Sequence, residues 1–305
     1  MFDTAALART IAAHGPTARL VIAANQGSSP REVGAAMLVW ATGQSGTIGG
    51  GALEFEATLR ARAMLASGGM RLDRQALGPK LGQCCGGTVT LLTEVYTAAP
   101  RGDVIARTTS NSPMPFAVQR LLATARNQGR QPQPQLIQGW MVEPVSLPQR
   151  LVWIWGAGHV GRALISVLSP LPGLALTWID VDLNRYPDIP PGVRALPVPD
   201  PALAVPLAPK GADHLILTYS HALDLDLCHR LLTHGFASAG LIGSATKWAR
   251  FRSRLTALGH APTQIARIRC PIGDPSLGKH PQAIAISVAS ALLQPTQALR
   301  QEIAG

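Results

Sequence analysis

Leu151-Val152-Trp153-Ile154-Trp155-Gly156-Ala157-Gly158-His159-Val160-Gly161-Arg162 is the stretch whose reading decides the fold. Five apolar residues in unbroken succession read as a strand covered on both faces, the habit of parallel sheets packed between helices. The glycines that follow match a G-x-G-x-x-G turn, and Val160–Leu168 continues as a helix. An acidic residue, Asp180, closes the next apolar strand, Leu174–Ile179, about twenty residues further on. Such a turn lets backbone N–H groups and a helix N-terminus approach phosphate. Gly156, Gly158, Gly161 and Asp180 are therefore candidate contacts for a dinucleotide, with Asp180 favouring a ribose that carries a free 2′-hydroxyl. Packing alone can also maintain this turn, because a fold does not fix a function.

Outward from that stretch the chain keeps alternating. His214–Thr218 and Ala239–Ile242 read as further strands, and Leu223–His234, Ala245–Leu258 and Pro281–Leu293 as helices. The alternation predicts a Rossmann-like, doubly wound parallel sheet over residues 150–305. Residues 98–149 are rich in Pro and Gln, with Gln131-Pro132-Gln133-Pro134-Gln135 at their centre, and read as a connecting region that can include a helix at Phe116–Ala125. Residues 1–97 predict a separate α+β domain. Its strands are Leu20–Ala24, Ala35–Trp40 and Thr88–Tyr96, with a helix at Ala52–Ala66.

The 305 residues are 47% hydrophobic and 14% charged, a globular composition long enough for two cores. The formal charge is +10, from 27 Lys and Arg against 17 Asp and Glu. Arginines are spread along the chain without a block, and aromatics make up only 5%, which argues against a nucleic-acid surface. If the positive field is functional, it suits a phosphorylated small molecule or an acidic protein. Four cysteines do not make a disulfide framework. No secretory signal is visible at Met1–Pro16, and the apolar run Ala283–Leu293 is too short to span a bilayer. A cytoplasmic protein without a membrane partner is expected.

Several motifs carry chemistry. Gly82-Gln83-Cys84-Cys85-Gly86-Gly87 places two adjacent thiols between glycines, with Lys80 nearby. Accessible thiolates in a positive surrounding are reactive and suit a sulfur-loving transition metal, so Cys84 and Cys85 are the candidate metal ligands. Thr47-Ile48-Gly49-Gly50-Gly51-Ala52-Leu53-Glu54 is a candidate anion cradle built from the amides of Gly49, Gly50 and Gly51. Upstream, Gly27-Ser28-Ser29-Pro30-Arg31 adds the hydroxyl of Ser29 and the guanidinium of Arg31, both suited to phosphate. The turn-rich Cys270–Lys279 leads into a helix and offers Lys279 to an anion. Thr218-Tyr219-Ser220-His221-Ala222-Leu223-Asp224 leaves a strand end where open α/β sheets bind ligands. Ser220, His221 and Asp224 lie too close in sequence for a catalytic triad, and Ser220 reads as a helix cap.

Taken together these segments resemble the xanthine dehydrogenase accessory protein family, XdhC, and the related CoxI-type proteins. Gly82–Gly87 and Gly240-Leu241-Ile242-Gly243-Ser244-Ala245-Thr246-Lys247 are the more specific pieces, and their joint order strengthens the match. Tyr219 departs from the family pattern, where a histidine is expected; His221 matches. The resemblance implies a chaperone that binds the molybdenum cofactor (molybdopterin), protects it, supports its sulfuration with a cysteine desulfurase, and inserts it into the molybdenum-binding subunit of xanthine dehydrogenase. It implies no turnover of its own, and a homo-oligomer is expected. Carried onto this chain, the cofactor contacts would be Cys84, Cys85, Gln83, Gly86, Gly87, Gly49, Gly50, Gly51, Ser29, Arg31, His221, Lys247 and Lys279. The competing reading is an NAD-dependent oxidoreductase that uses Gly156–Gly161 for the dinucleotide and the Cys pair as a redox relay.

Overall fold

A computed structural model describes residues 1–77, 86–110, 112–146 and 150–294 of the chain. Two compact units divide it, residues 1–147 and 148–305. The first unit starts with α1 (Thr4–His14), β1 (Thr17–Gln26), β2 (Ala36–Trp40), β3 (Gly43–Gly46) and α2 (Gly51–Met64). It continues with β4 (Met70–Ala76), β5 (Thr88–Tyr96), β6 (Val104–Thr108), α3 (Phe116–Gln128), β7 (Gln135–Ile137) and β8 (Trp140–Pro144).

Five of these strands form one sheet in the order β3-β2-β1-β5-β4, and three form a second, β6-β8-β7. β1 lies centrally, antiparallel to both β2 and β5. Its side chains alternate between two cores. Leu20 and Ile22 pack with Leu53 and Ala57 of α2, while Val21 and Ala23 pack with Met141 of β8. Burial on both faces explains why this antiparallel strand reads as a continuous apolar run.

Residues 98–149 were expected to connect two domains. Instead β6, α3, β7 and β8 belong to the N-terminal unit. A buried ion-pair chain fastens the two sheets together. Arg19 of β1 makes a two-pronged contact with Glu143 of β8 at 2.9 and 2.8 Å. Arg107 of β6 donates to the same carboxylate and reaches Glu94 of β5 at 2.7 Å. Two cations and two anions balance, and Phe2 lies under both guanidinium groups. Their charges do not betray this burial in the sequence, because the partners are up to 124 residues apart.

The second unit has the predicted architecture. Its elements are β9 (Arg150–Trp155), α4 (His159–Leu168), β10 (Leu174–Asp180), β11 (Val193–Pro197), β12 (Asp213–Ile216) and α5 (His221–His234). They are followed by β13 (Ser238–Leu241), α6 (Ala245–Ala257), α7 (Pro262–Ile265), β14 (Ile268–Arg269) and α8 (Pro281–Leu293). All six strands are parallel, in the order β11-β10-β9-β12-β13-β14. Val152 and Ile154 of β9 face a core shared with α4 and α8, whereas Trp153 and Trp155 face one shared with α5 and α6. The strand order reverses between β9 and β12, the position at which such sheets bind ligands.

Among the described residues no helix is long and apolar enough to cross a membrane.

Candidate functional site

In the N-terminal unit three of the sequence motifs meet at one end of the five-stranded sheet. Gly87 lies so close to the loop after β1 that a Cβ there would fall 2.2 Å from the Ser28 carbonyl oxygen and 2.7 Å from that of Gln26. The amide of Leu77 donates to the Gly87 carbonyl at 2.7 Å. Gly49 meets the same loop, where an added Cβ would stand 2.5 Å from the Pro30 ring. The Gly27–Arg31 loop is thus held between the Thr47–Glu54 turn and the Gly86-Gly87 exit of the cysteine motif. Gln83, Cys84 and Cys85 themselves, with Lys80, lie outside the described residues.

The glycine turn is a cradle, but the chain fills it. Glu54, one turn into α2, accepts the Ile48 and Gly50 amides at 3.0 Å each and the Thr47 hydroxyl at 2.6 Å. Burial alone would raise its pKa; these hydrogen bonds win and hold it below the ordinary carboxylate value. Gly51 is the first residue of α2. Of the glycine amides expected to hold an outside anion, that of Gly50 is taken by Glu54 and that of Gly49 by the Thr47 hydroxyl at 3.0 Å. Ser29 donates to the Arg31 carbonyl at 2.7 Å. Arg31 pairs with the adjacent, exposed Glu32 at 3.1 Å. Such a contact between exposed neighbours is worth little and leaves the guanidinium free to exchange partners.

In the C-terminal unit the glycines do what the turn requires. A Cβ on Gly161 would fall 2.0 Å from the Gly156 carbonyl oxygen, and one on Gly156 would fall 2.5 Å from that of Leu217. Gly158 caps α4. Asp180 is 3% exposed and turned into the loop rather than toward solvent. One oxygen accepts the Ala157 amide at 2.5 Å, and the other accepts the Val181 amide at 2.7 Å with Arg185 at 3.4 Å. The carboxylate expected to meet a ribose is engaged by its own backbone.

Beyond the strand-order reversal, the end of β12 carries a polar network. Asp224 of α5 is fully buried; it accepts the Thr218 amide and hydroxyl at 3.1 and 2.7 Å and pairs with Lys247 of α6 at 2.6 Å. Lys247 also donates to the Ile242 carbonyl at 2.9 Å. Lys247, expected to contact a cofactor, therefore ties α6 to α5. Ser220 caps α5 through the Leu223 amide at 3.3 Å, as its place in the sequence predicted. His221, the first residue of α5, and Lys279, shortly before α8, are both exposed. Cys228 is buried beneath Asp224, and burial followed by that charge pushes its thiol up. Among the described residues no group of three or more His, Cys, Asp or Glu side chains is arranged to hold a metal.

Two family models match this chain. Residues 152–292 match the XdhC Rossmann domain, and residues 5–75 match the XdhC and CoxI family. The chain belongs to the XdhC and CoxI family. This XdhC-type chain is 34% identical over 149 residues to the uncharacterized protein YqeB of Escherichia coli strain K12. That stretch is 48% of the chain and 27% of YqeB, so the chain spans about a quarter of the curated relative it matches. A crystal structure described as a xanthine dehydrogenase from Bacillus halodurans superimposes with a TM-score of 0.67 over 97% of this chain and 98% of that one. At 21% identity that likeness shows the fold alone.

Sequence reading of the XdhC-type chain missed two features. It did not foresee that Glu54, three residues past the glycine run, fills the turn, although a carboxylate at that spacing on a helix start is a visible capping signal. It also treated the positive charge as evenly scattered. Between Asp226 and Asp274 the chain has no acidic residue and carries seven Arg or Lys.

Proposed function

We propose that this chain is an accessory factor in the maturation of xanthine dehydrogenase, and that it carries the molybdenum cofactor rather than turning over purines. The supporting observation is the convergence of Gly27–Arg31, Thr47–Glu54 and Gly86-Gly87 at one end of the N-terminal sheet. These segments are far apart in sequence, and the glycines at 27, 49 and 87 permit their close approach. They flank the point at which Cys84 and Cys85 rejoin the described chain.

Under this reading Cys84 and Cys85 hold the molybdenum side of the cofactor, since thiolates are soft and exchangeable ligands. Arg31 is the fitting partner for the cofactor's phosphate, because its present partner is an exposed neighbour. When bound, the cofactor supplies the dithiolene-held metal that the recipient enzyme uses. This chain's residues bind it, shield it and release it. A cysteine desulfurase and the molybdenum-binding subunit of the dehydrogenase are the partners this role requires, and a homo-oligomer in the cytoplasm is its proposed form.

The dinucleotide reading has weaker support, because Asp180 is committed to the Ala157 and Val181 amides. The deciding experiment is metal and pterin analysis of protein purified from molybdate-supplied cells, paired with reconstitution of an apo-dehydrogenase. Molybdenum, a releasable oxidised pterin and restored activity are the expected outcome. Metal-free protein that fails to activate the apo-enzyme refutes the proposal.

A further inference from the structure

We infer that the C-terminal unit has a binding pocket for a planar, phosphate-bearing ligand, formed by α6, α7 and β14. A cavity of about 620 Å³ opens there, within the size range of small-molecule sites. Arg252 of α6 and Arg269 of β14 line it from two directions, with Trp248, Ser253, Thr256 and Cys270. No carboxylate is among the lining residues. Among the described residues neither Arg252 nor Arg269, nor Arg250 and Arg254 on the same helix, has an acidic partner within salt-bridge distance.

The charge is local, not a share of the chain's average. The pocket lies inside the acid-free segment between Asp226 and Asp274. Three of that segment's cations are spent on structure, Arg230 among them through Asp226 at 3.0 Å. Lys247 pairs with Asp224, and Arg267 donates to the Phe236 carbonyl at 2.7 Å. Arg252 and Arg269 are not spent in this way. Guanidinium groups that share a concave wall repel each other, and an anion with several oxygens relieves both through paired N–H donors. The Trp248 indole supplies a flat apolar surface on which a heterocycle can stack. Ser253 and Thr256 add hydroxyls on the α6 face. β14 is the last strand of the sheet, so the pocket sits at its open edge, away from the glycine turn after β9. Concavity and the indole favour a small ligand over an acidic protein surface, which would need no cavity. This inference stands apart from the carrier proposal and survives its failure.

Guanosine 5′-monophosphate is a suitable probe, titrated calorimetrically into the intact protein beside guanosine and inorganic phosphate. Peptide-resolved alkylation of Cys270, whose half-buried thiol lines the same cavity, reports whether the probe occupies this pocket. Saturable binding of the nucleotide and slowed Cys270 alkylation are expected. Loss of one charge-assisted contact in Arg252→Ala or Arg269→Ala should weaken binding about tenfold or more. Both side chains are exposed, so the variants should keep the wild-type fold and circular dichroism. Guanosine binding as tightly as the nucleotide overturns the phosphate assignment, and phosphate binding as tightly as the nucleotide overturns the stacking one. An acidic peptide that binds through the two arginines while the nucleotide does not overturns the small-ligand inference in favour of a protein partner.

Discussion

Replacing Glu143 with glutamine removes one charge while nearly preserving shape, and it tests whether the two N-terminal sheets are one folding unit. Glu143 is fully buried and sits between Arg19 and Arg107, each under a tenth exposed. Without its charge, Arg107 keeps Glu94, whereas Arg19 loses the carboxylate with which it pairs. Breaking a buried pair on one side costs about 3–5 kcal/mol, because the orphaned charge cannot be rehydrated. At roughly 2–4 °C per kcal/mol for a unit of this size, the N-terminal melting transition should fall by about 6–20 °C. The pH dependence has a definite sign. Burial pushes the Glu143 pKa up, but Arg19 and then Arg107 outweigh it and hold it below the ordinary 4.5. A depressed pKa contributes stability that is complete above the unfolded value and is lost as pH falls through the folded one. The acid limb of the wild-type stability profile should therefore flatten in the variant. Hydrogen exchange read by mass spectrometry locates the effect, with amides in β1, β5 and β8 expected to exchange faster together while β9 and β12 are unchanged. Acceleration confined to β6, β7 and β8 would show that the three-stranded sheet is a separable appendage and would refute the reasoning.

Glu54→Gln should cost about 1 kcal/mol, the lower range for loss of charged hydrogen bonds at a partly exposed site, measured by urea denaturation. Its stabilising effect in the wild type should disappear as pH drops below the ordinary 4.5, because its folded pKa is depressed. Asp180→Asn should destabilise the C-terminal unit by about 1–3 kcal/mol through the Ala157 and Val181 amides, while transfer of cofactor to an apo-dehydrogenase is unchanged at temperatures where the variant is folded. Cys84→Ser and Cys85→Ser should lower the molybdenum content of the purified protein without moving its melting temperature; unchanged metal in both variants would remove the cysteines from the proposal.

The parallel sheet was legible because its strands are buried on both faces, and burial of that kind writes itself as an unbroken apolar run such as Leu151–Trp155. β4 was not legible. Met70-Arg71-Leu72-Asp73-Arg74-Gln75-Ala76 is an edge strand, mostly exposed, and is held by its ladder with β5 rather than by apolar content. β6 and β8 were hidden for another reason. Arg107 and Glu143 look like surface residues in a polar region, and only partners on β1 and β5 make them core residues. The site motifs were legible as segments and their convergence was not, since the approach of Gly87 to Ser28 is a fact of tertiary packing. Lys247 illustrates the limit for single residues. A lysine in a family-like motif reads as a ligand contact, and only Asp224, 23 residues earlier, shows it to be a brace between helices.

Both glycine-rich turns that read as anion cradles have a backbone amide taken by one of the chain's own carboxylates, Glu54 in one unit and Asp180 in the other. In each the acid comes later in the sequence than the glycines and returns to an amide of the turn, that of Gly50 in one and that of Ala157 in the other. A carboxylate supplied by the chain itself costs no translational freedom, so an outside anion must displace it at a disadvantage. That ordering separates two uses of the same motif. A turn that must bind a nucleotide tightly leaves its amides open, whereas one that organises a loop closes them from within. The N-terminal turn is of the second kind and still bears on function, because it fixes Pro30 and Arg31 beside the exit of the cysteine segment. Arg31, with only an exposed neighbour as partner, is then the group in that cluster best able to take a passing phosphate and let it go. Arg31→Ala should accordingly raise the rate of cofactor loss on dilution, measured by released pterin fluorescence, while Arg31→Lys restores part of the retention. Equal loss rates in wild type and Arg31→Ala would leave the converged loops with a structural role only.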